Sequence, residues 1–235
     1  MQGSQSKLHP GSAGGAEASG PLIGRTPGGW NAATLLISDP NLGGWAEALL
    51  RRHCRDLTAL CWDRSKEATR KEALAVVATR RWDLCISFYS DLIIPPDLLD
   101  RIDLALNIHP ALPAVRGTGY DAIPLVDAHP SHGTTLHRMV EEIDAGQIFH
   151  VIERPLEAAT ATELRRTNQV LCARHLRMLC DWMLRCGTPQ ALEAQLQKLA
   201  AGQSRQWGDA YLSRRDLDDL LATLRCLDPD HSVFR

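Results

Sequence analysis

Between residues 33 and 109 short apolar runs alternate with stretches of helical period, and this alternation constrains the fold more than any other feature. Residues 33–38, 57–62, 84–88 and 104–109 read as buried strands. Residues 43–53, with Trp45, Ala48 and Leu49 on one face, and 66–80, with Ala73, Leu74 and Val77 inward, read as helices. Pro95-Pro96 starts a further short helix. Strands separated by helices imply βαβ crossovers. The expected class is α/β, a doubly wound, mostly parallel sheet. Ligands in such sheets bind outside the carboxyl ends of the strands, here residues 39–41, 87–91 and 107–110.

Downstream, residues 132–140 and 147–154 read as two more strands, joined by a loop holding Glu141, Glu142 and Asp144. Thr160 and Glu163 predict a capping box for a helix that Gly187 ends near residue 186. Thr188 caps the next helix, which begins at Pro189 and stops near Gly202. Residues 207–212 suit a strand, and Ser213 caps a last helix over 214–225. Residues 1–30 are dominated by Gly, Ser, Ala and Pro and predict a disordered tail. The expected organisation is tail 1–30, one α/β domain 31–186 and a small helical C-terminal extension 187–235.

A chain of 235 residues that is 44% hydrophobic can build one ordinary core. Its net charge of −2 and the lack of any Lys/Arg run argue against a nucleic-acid partner. Arg165, Arg166, Arg174, Arg177 and Arg185 share one helix with Glu163 and Asp181 and read as a solvated face. The seven cysteines include no CxxC pair and are odd in number, which points to a reduced, cytoplasmic compartment. No apolar stretch approaches the roughly 18 residues of a membrane span.

Residues i and i+2 of a strand share a side, so Asn107 and His109 can face one pocket. Each alone suits a turn or a buried hydrogen-bonded histidine, and Asp144 alone suits ordinary D-A-G turn chemistry. Together, beside the loop carrying Arg116, Gly117 and Gly119, they form an amide donor, an imidazole and a carboxylate at strand ends, the make-up of an enzyme site. Cys85 lies in an apolar run and reads as core filler. His129, His132 and His150 lack metal-ligand spacing, and no metal is expected.

The run Asn107-Ile108-His109-Pro110, then Pro113 and Arg116-Gly117, then Gly133, Thr135 and His137, then Asp144, Gly146 and Ile148, resembles the signature of the folate-dependent formyltransferase family. The likeness spans residues 33–185 and implies a Rossmann-like formyltransferase domain. It implies 10-formyltetrahydrofolate as donor and a small-molecule amine or hydroxylamine as acceptor. Catalytic roles would fall to Asn107, His109 and Asp144. The pterin would lie among the backbone groups of Phe88, Tyr89, Ser90, Asp91 and Leu92 and the loop of Val140, Glu141, Glu142 and Ile143. Arg116 and Tyr120 would shape the neighbouring loop or the acceptor pocket, with Gly117 on the acceptor side, and His137, inside a strand, would support the structure.

Attack of an amine on a formyl carbon builds an oxyanion. Asn107 would donate to it, a contribution of about 10²–10³ in rate. His109 would stabilise the same charge or shuttle a proton, and Asp144 would orient His109 and help take the proton. The same residues would serve a formyltetrahydrofolate hydrolase, with water in place of the amine. A methionyl-tRNA formyltransferase-like enzyme is disfavoured by the short segment after Gly187 and the absence of a basic face. The non-enzyme alternative is a silent folate-binding paralogue, against which the intact Asn107, His109 and Asp144 argue. The Ser38–Gly44 loop (SDPNLGG) lacks a Gly/Ser-rich phosphate cradle, which disfavours glycinamide ribonucleotide as acceptor. An amino sugar or a specialised metabolite is the acceptor class expected.

Overall fold

A computed structural model describes residues 29–66 and 69–235. The tail expected over 1–30 lies outside the described residues except at its end. There Trp30 is already part of the fold, 1% exposed, with its indole N–H donating to Thr34 Oγ1 at 2.8 Å.

Six strands form the main sheet: β1 (Thr34–Ser38), β2 (Leu57–Cys61), β3 (Trp82–Phe88), β4 (Ile102–His109), β6 (Ser131–Arg138) and β7 (Ile148–Pro155). Their order is β2-β1-β3-β4-β6-β7, with the first four parallel and β6 and β7 antiparallel. The helices between the parallel strands are α1 (Gly43–Leu50), α2 (Arg70–Ala78) and α3 (Pro96–Leu99). Strand periodicity sorts the core into two layers. Leu36, Leu84, Ile86, Leu104, Leu106 and Ile108 pack with Ala46 and Leu50 of α1 and with the long helix α5 (Ala161–Cys186). Leu35, Ile37, Cys85 and Ala105 point the other way, against Ala73 and Val77 of α2. Each fully buried Leu or Ile contributes about 1.5–3 kcal/mol. The sheet is doubly wound and mostly parallel, as its apolar pattern implies, and Cys85 is core.

Caps formed where local chemistry placed them. Thr160 accepts from Glu163 N, and Gly187 adopts φ 73 to close α5. The Glu163 carboxylate reaches Ala159 N rather than Thr160 N, so the expected box at this end is incomplete. A full box, Ser213 with Asp216, opens α7 (Arg214–Leu227), and α6 (Pro189–Ala201) starts after Thr188. The strand expected over 207–212 shrinks to β8 (Tyr211–Leu212). It leaves the main sheet and pairs with β5 (Arg116–Gly117), because Gly208 is instead tied to Pro113 O at 2.9 Å. A short helix α4 (Ile123–Val126) and a 3-10 turn at Ser232–Phe234 complete the chain. Among the described residues no helix is long and apolar enough to cross a membrane.

Between β6, β7 and α5, Thr134 Oγ1 lies 2.9 Å from His175 Nδ1, and His150 Nδ1 lies 3.0 Å from His175 Nε2. Burial, reinforced by His150, pushes His175 down to about 3. The unfolded chain, titrating near the ordinary 6.5, binds the extra proton first. Stability from this group is therefore full above pH 6.5 and is lost as pH falls toward 3, at up to ~1.4 kcal/mol per pH unit. His175→Gln should flatten the fall of melting temperature between neutral and mildly acidic pH; an unchanged slope would discard the assignment.

Candidate active site

The carboxyl ends of β1, β3 and β4 open into a cleft of about 770 Å³. Asn107 and His109 reach it from the face of β4 that also carries Ala105. Antiparallel pairing sets His137 of β6 directly opposite Asn107 and Thr135 opposite His109. A register shift between Leu136 and His137 interrupts the β6–β7 ladder here, a device that re-aims side chains beside functional sites. Asp144 enters from the β6–β7 loop with φ 48, a left-handed conformation that aspartate tolerates better than most residues.

Asn107, His109, His137 and Asp144 form one network. His109 Nε2 lies 2.7 Å from Val115 O, a carbonyl that can only accept, so Nε2 carries the proton. His109 Nδ1 is thereby the lone-pair atom, and it faces Asp144 Oδ2 at 3.5 Å. His137 Nδ1 likewise donates to Arg138 O at 2.8 Å. Its Nε2 meets the Asn107 amide nitrogen at 3.0 Å and Asp144 Oδ1 at 3.4 Å. Asp144 Oδ2 accepts from Gly117 N at 2.9 Å.

Asp144 is 7% exposed and His109 3%. Burial opposes the aspartate charge, but attraction to His109, the contact with His137 and the Gly117 N–H outweigh it and hold the carboxyl at about 2. Burial dominates at His109 and lowers its pKa from 6.5 against the pull of Asp144 and Val115 O. The carboxylate is therefore charged and the imidazole neutral at pH 7. A proton taken up at Nδ1 would sit beside the carboxylate.

Of the residues singled out in the sequence, the cleft brings together Asn107, His109, Asp144, Tyr89, Ser90, Asp91, Leu92, Val140, Glu141, Glu142, Ile143, Gly117 and Tyr120. Two lie elsewhere. The Phe88 side chain is fully buried in the α1–α5 layer against Trp45. Arg116, 9% exposed, turns under the loop: its Nε donates to Asp144 O at 2.9 Å and its Nη2 to Ile143 O at 3.1 Å and Glu142 Oε1 at 2.6 Å. His137, expected as a supporting residue, joins the network through Asn107 and Asp144, and its G-x-T-x-H spacing was the visible signal.

The lining is mixed in character. Leu92, Ile94, Leu99, Met139 and Val140 are its apolar part, beside the exposed Ile93. Tyr89, itself at φ 54, donates its hydroxyl to Tyr120 at 2.7 Å. Burial, first of several causes, raises the pKa of both phenols, so both keep their protons. The Tyr120 loop is fixed from beneath, where Tyr120 O accepts from Asn168 Nδ2 at 3.2 Å and Asn168 Oδ1 meets His132 Nδ1 at 2.8 Å. Among the described residues no group of three or more His, Cys, Asp or Glu side chains could hold a metal ion.

Residues 36–180 match the sequence family described as Formyl transferase. Solved structures share the fold. An N-formyltransferase from Helicobacter canadensis, in complex with folinic acid and dTDP-3-aminofucose, aligns with TM-score 0.52 at 15% identity, over 79% of this chain and 72% of that one. A 4-N formyltransferase from Francisella tularensis aligns with TM-score 0.54 at 17% identity, over 80% and 79%. Phosphoribosylglycinamide formyltransferase from Campylobacter jejuni subsp. jejuni aligns with TM-score 0.51 at 16% identity, over 71% and 98%. No curated protein sequence matches the chain.

Proposed function

The chain belongs to the formyl transferase family, and from that premise we propose that it moves a formyl group from 10-formyltetrahydrofolate to the amine of a small acceptor, an amino sugar first among them. The observation that carries this reading is the Asn107–His137–Asp144–His109 network at the floor of the cleft. The folate complex and amino-sugar nucleotide of the Helicobacter canadensis enzyme support the choice of donor and acceptor.

The cleft suits a folate. Its volume falls within the range of about 300–1,000 Å³ usual for small-molecule sites. Leu92, Ile94, Met139 and Val140 supply an apolar wall for a flat ring, while Ser90, Asp91 and the 140–143 loop supply polar groups along its edge. Tyr89, Tyr120, Gly117 and Thr118 form the side left for the acceptor.

With both substrates bound, one Asn107 amide proton is engaged by His137 Nε2 and the other is free to meet the oxygen of the formyl group as it becomes an oxyanion. His137 orients that donor. His109 Nδ1 receives the proton that the attacking nitrogen gives up, and the Asp144 carboxylate holds the imidazolium so formed. His109 then returns the proton to the folate nitrogen as the carbon–nitrogen bond breaks. The formyl carbon leaves one nitrogen for another, and no net proton is gained or lost.

Tetrahydrofolate release from 10-formyltetrahydrofolate, measured with and without nucleotide-linked amino sugars, tests the reading. Release should require an acceptor and fall by about 10²–10³ in Asn107→Ala. Because His109 must be neutral to act, the acidic limb of kcat/KM should lie below pH 6.5. Acceptor-independent release, also lost in Asn107→Ala, would replace transfer by hydrolysis. Failure to bind 5-formyltetrahydrofolate would remove the folate reading altogether.

A further inference from the structure

Residues 203–214 lie beyond the stretch that matches the family, yet they return to the catalytic network. Gly208 N donates to Pro113 O at 2.9 Å, and Thr118 N donates to Leu212 O at 3.0 Å. A Cβ on Gly208 would stand 2.8 Å from Ala114 O, so only glycine lets the segment lie this close. Trp207 is pinned by its indole N–H, which donates to Gly146 O at 2.7 Å.

That bond places the indole against both imidazoles. Its ring centre lies 4.8 Å from His137 at 83° and 5.9 Å from His109 at 66°, both edge-to-face. His109 and His137 line the cleft, while the half-buried indole is not among the lining residues and packs on the two rings. Its effect on chemistry passes through the two histidines.

We propose that Trp207 is a positioning residue of the catalytic centre, the wall with which the C-terminal segment fixes His109 and His137 and keeps water from the ring surfaces it covers. The inference rests on the catalytic roles given to these histidines above. An indole edge offers their rings contact without hydrogen-bonding competition for Nδ1 of His109, which is left to Asp144. The titratable groups that act on His109 are Asp144 from the β6–β7 loop and His137 on β6. Neither replaces the indole as a barrier, since each is polar.

Imidazole nitrogen NMR of the full-length protein tests this without any acceptor. In Trp207→Ala the His109 titration should rise toward the ordinary 6.5 and its Nε2–H tautomer should lose definition, whereas Trp207→Phe should stay close to wild type. Under turnover Trp207→Ala should lose ~10- to 100-fold in kcat, with little change in donor KM. Gly208→Ala, which lifts the segment with the indole intact, should reproduce the NMR changes if Trp207→Ala fails to fold. Wild-type titration and tautomers in whichever of Trp207→Ala and Gly208→Ala folds would overturn the proposal. An inactive wild type would count against the formyltransfer reading alone, since the NMR result still decides the positioning role.

Discussion

Asp144→Asn should lower turnover by about 10³-fold while the protein stays folded and still binds folate. The amide reproduces the shape and the one local hydrogen bond. Its oxygen can accept from Gly117 N as Oδ2 does at 2.9 Å, and its NH₂ can lie beside His137 Nε2, where Oδ1 now lies at 3.4 Å. What is lost is the charge 3.5 Å from His109 Nδ1, the atom assigned to receive the proton. An uncharged neighbour cannot hold the imidazolium.

The same substitution has a stability and a pH signature. A carboxyl held at about 2 instead of near 3.8 is charged at pH 7 and contributes about 2 kcal/mol there. The sign is that of a depressed acid: the contribution is complete above 3.8 and disappears as pH falls toward 2. A loss of about 2 kcal/mol leaves most domains folded. His109 also loses the attraction that partly offset its burial, so the acidic limb of kcat/KM should move to lower pH as the plateau drops. Turnover within a few-fold of wild type would remove Asp144 from the mechanism. Collapse of the melting temperature would show that its role is to hold the loop.

What could be read from the sequence depended on how far apart in the chain the deciding contacts lie. Asn107 and His109 followed from two-residue periodicity along one strand. The caps at Thr160, Gly187 and Ser213 followed from chemistry within a turn. The place of His137 did not, because it depends on the register of β6 against β4 and on the irregularity after Leu136. Trp207 was less visible still: it meets Gly146 across 61 positions, through a segment whose alternation suggested an ordinary strand. The burial of the Phe88 side chain and of the Arg116 guanidinium was invisible for a related reason. A residue next to a strand end, or a cation in a glycine-containing loop, looks available to a ligand until burial is known.

Arg116 allows the two views to be separated by experiment. An acceptor-binding arginine would leave stability alone when removed and raise the acceptor KM. The structure instead buries the guanidinium beneath the loop that carries Asp144, against the carbonyls of Ile143 and Asp144 and, at 3.4 Å, of Gly208. Arg116→Ala should therefore cost about 2–4 kcal/mol, since it strips a charged donor from partly buried carbonyls. For a chain of this size that corresponds to a fall in melting temperature on the order of 10 °C. Glu142→Ala should cost about 0–1 kcal/mol, because the Glu142 side chain is 71% exposed and its share of the ion pair is screened. Arg116→Lys should fall between them: an ammonium can reach one carbonyl but cannot span the set. Turnover should follow the order Glu142→Ala, Arg116→Lys, Arg116→Ala, because Asp144 keeps its left-handed backbone only while its own carbonyl is held. A raised acceptor KM at unchanged melting temperature would return Arg116 to the role its loop suggested.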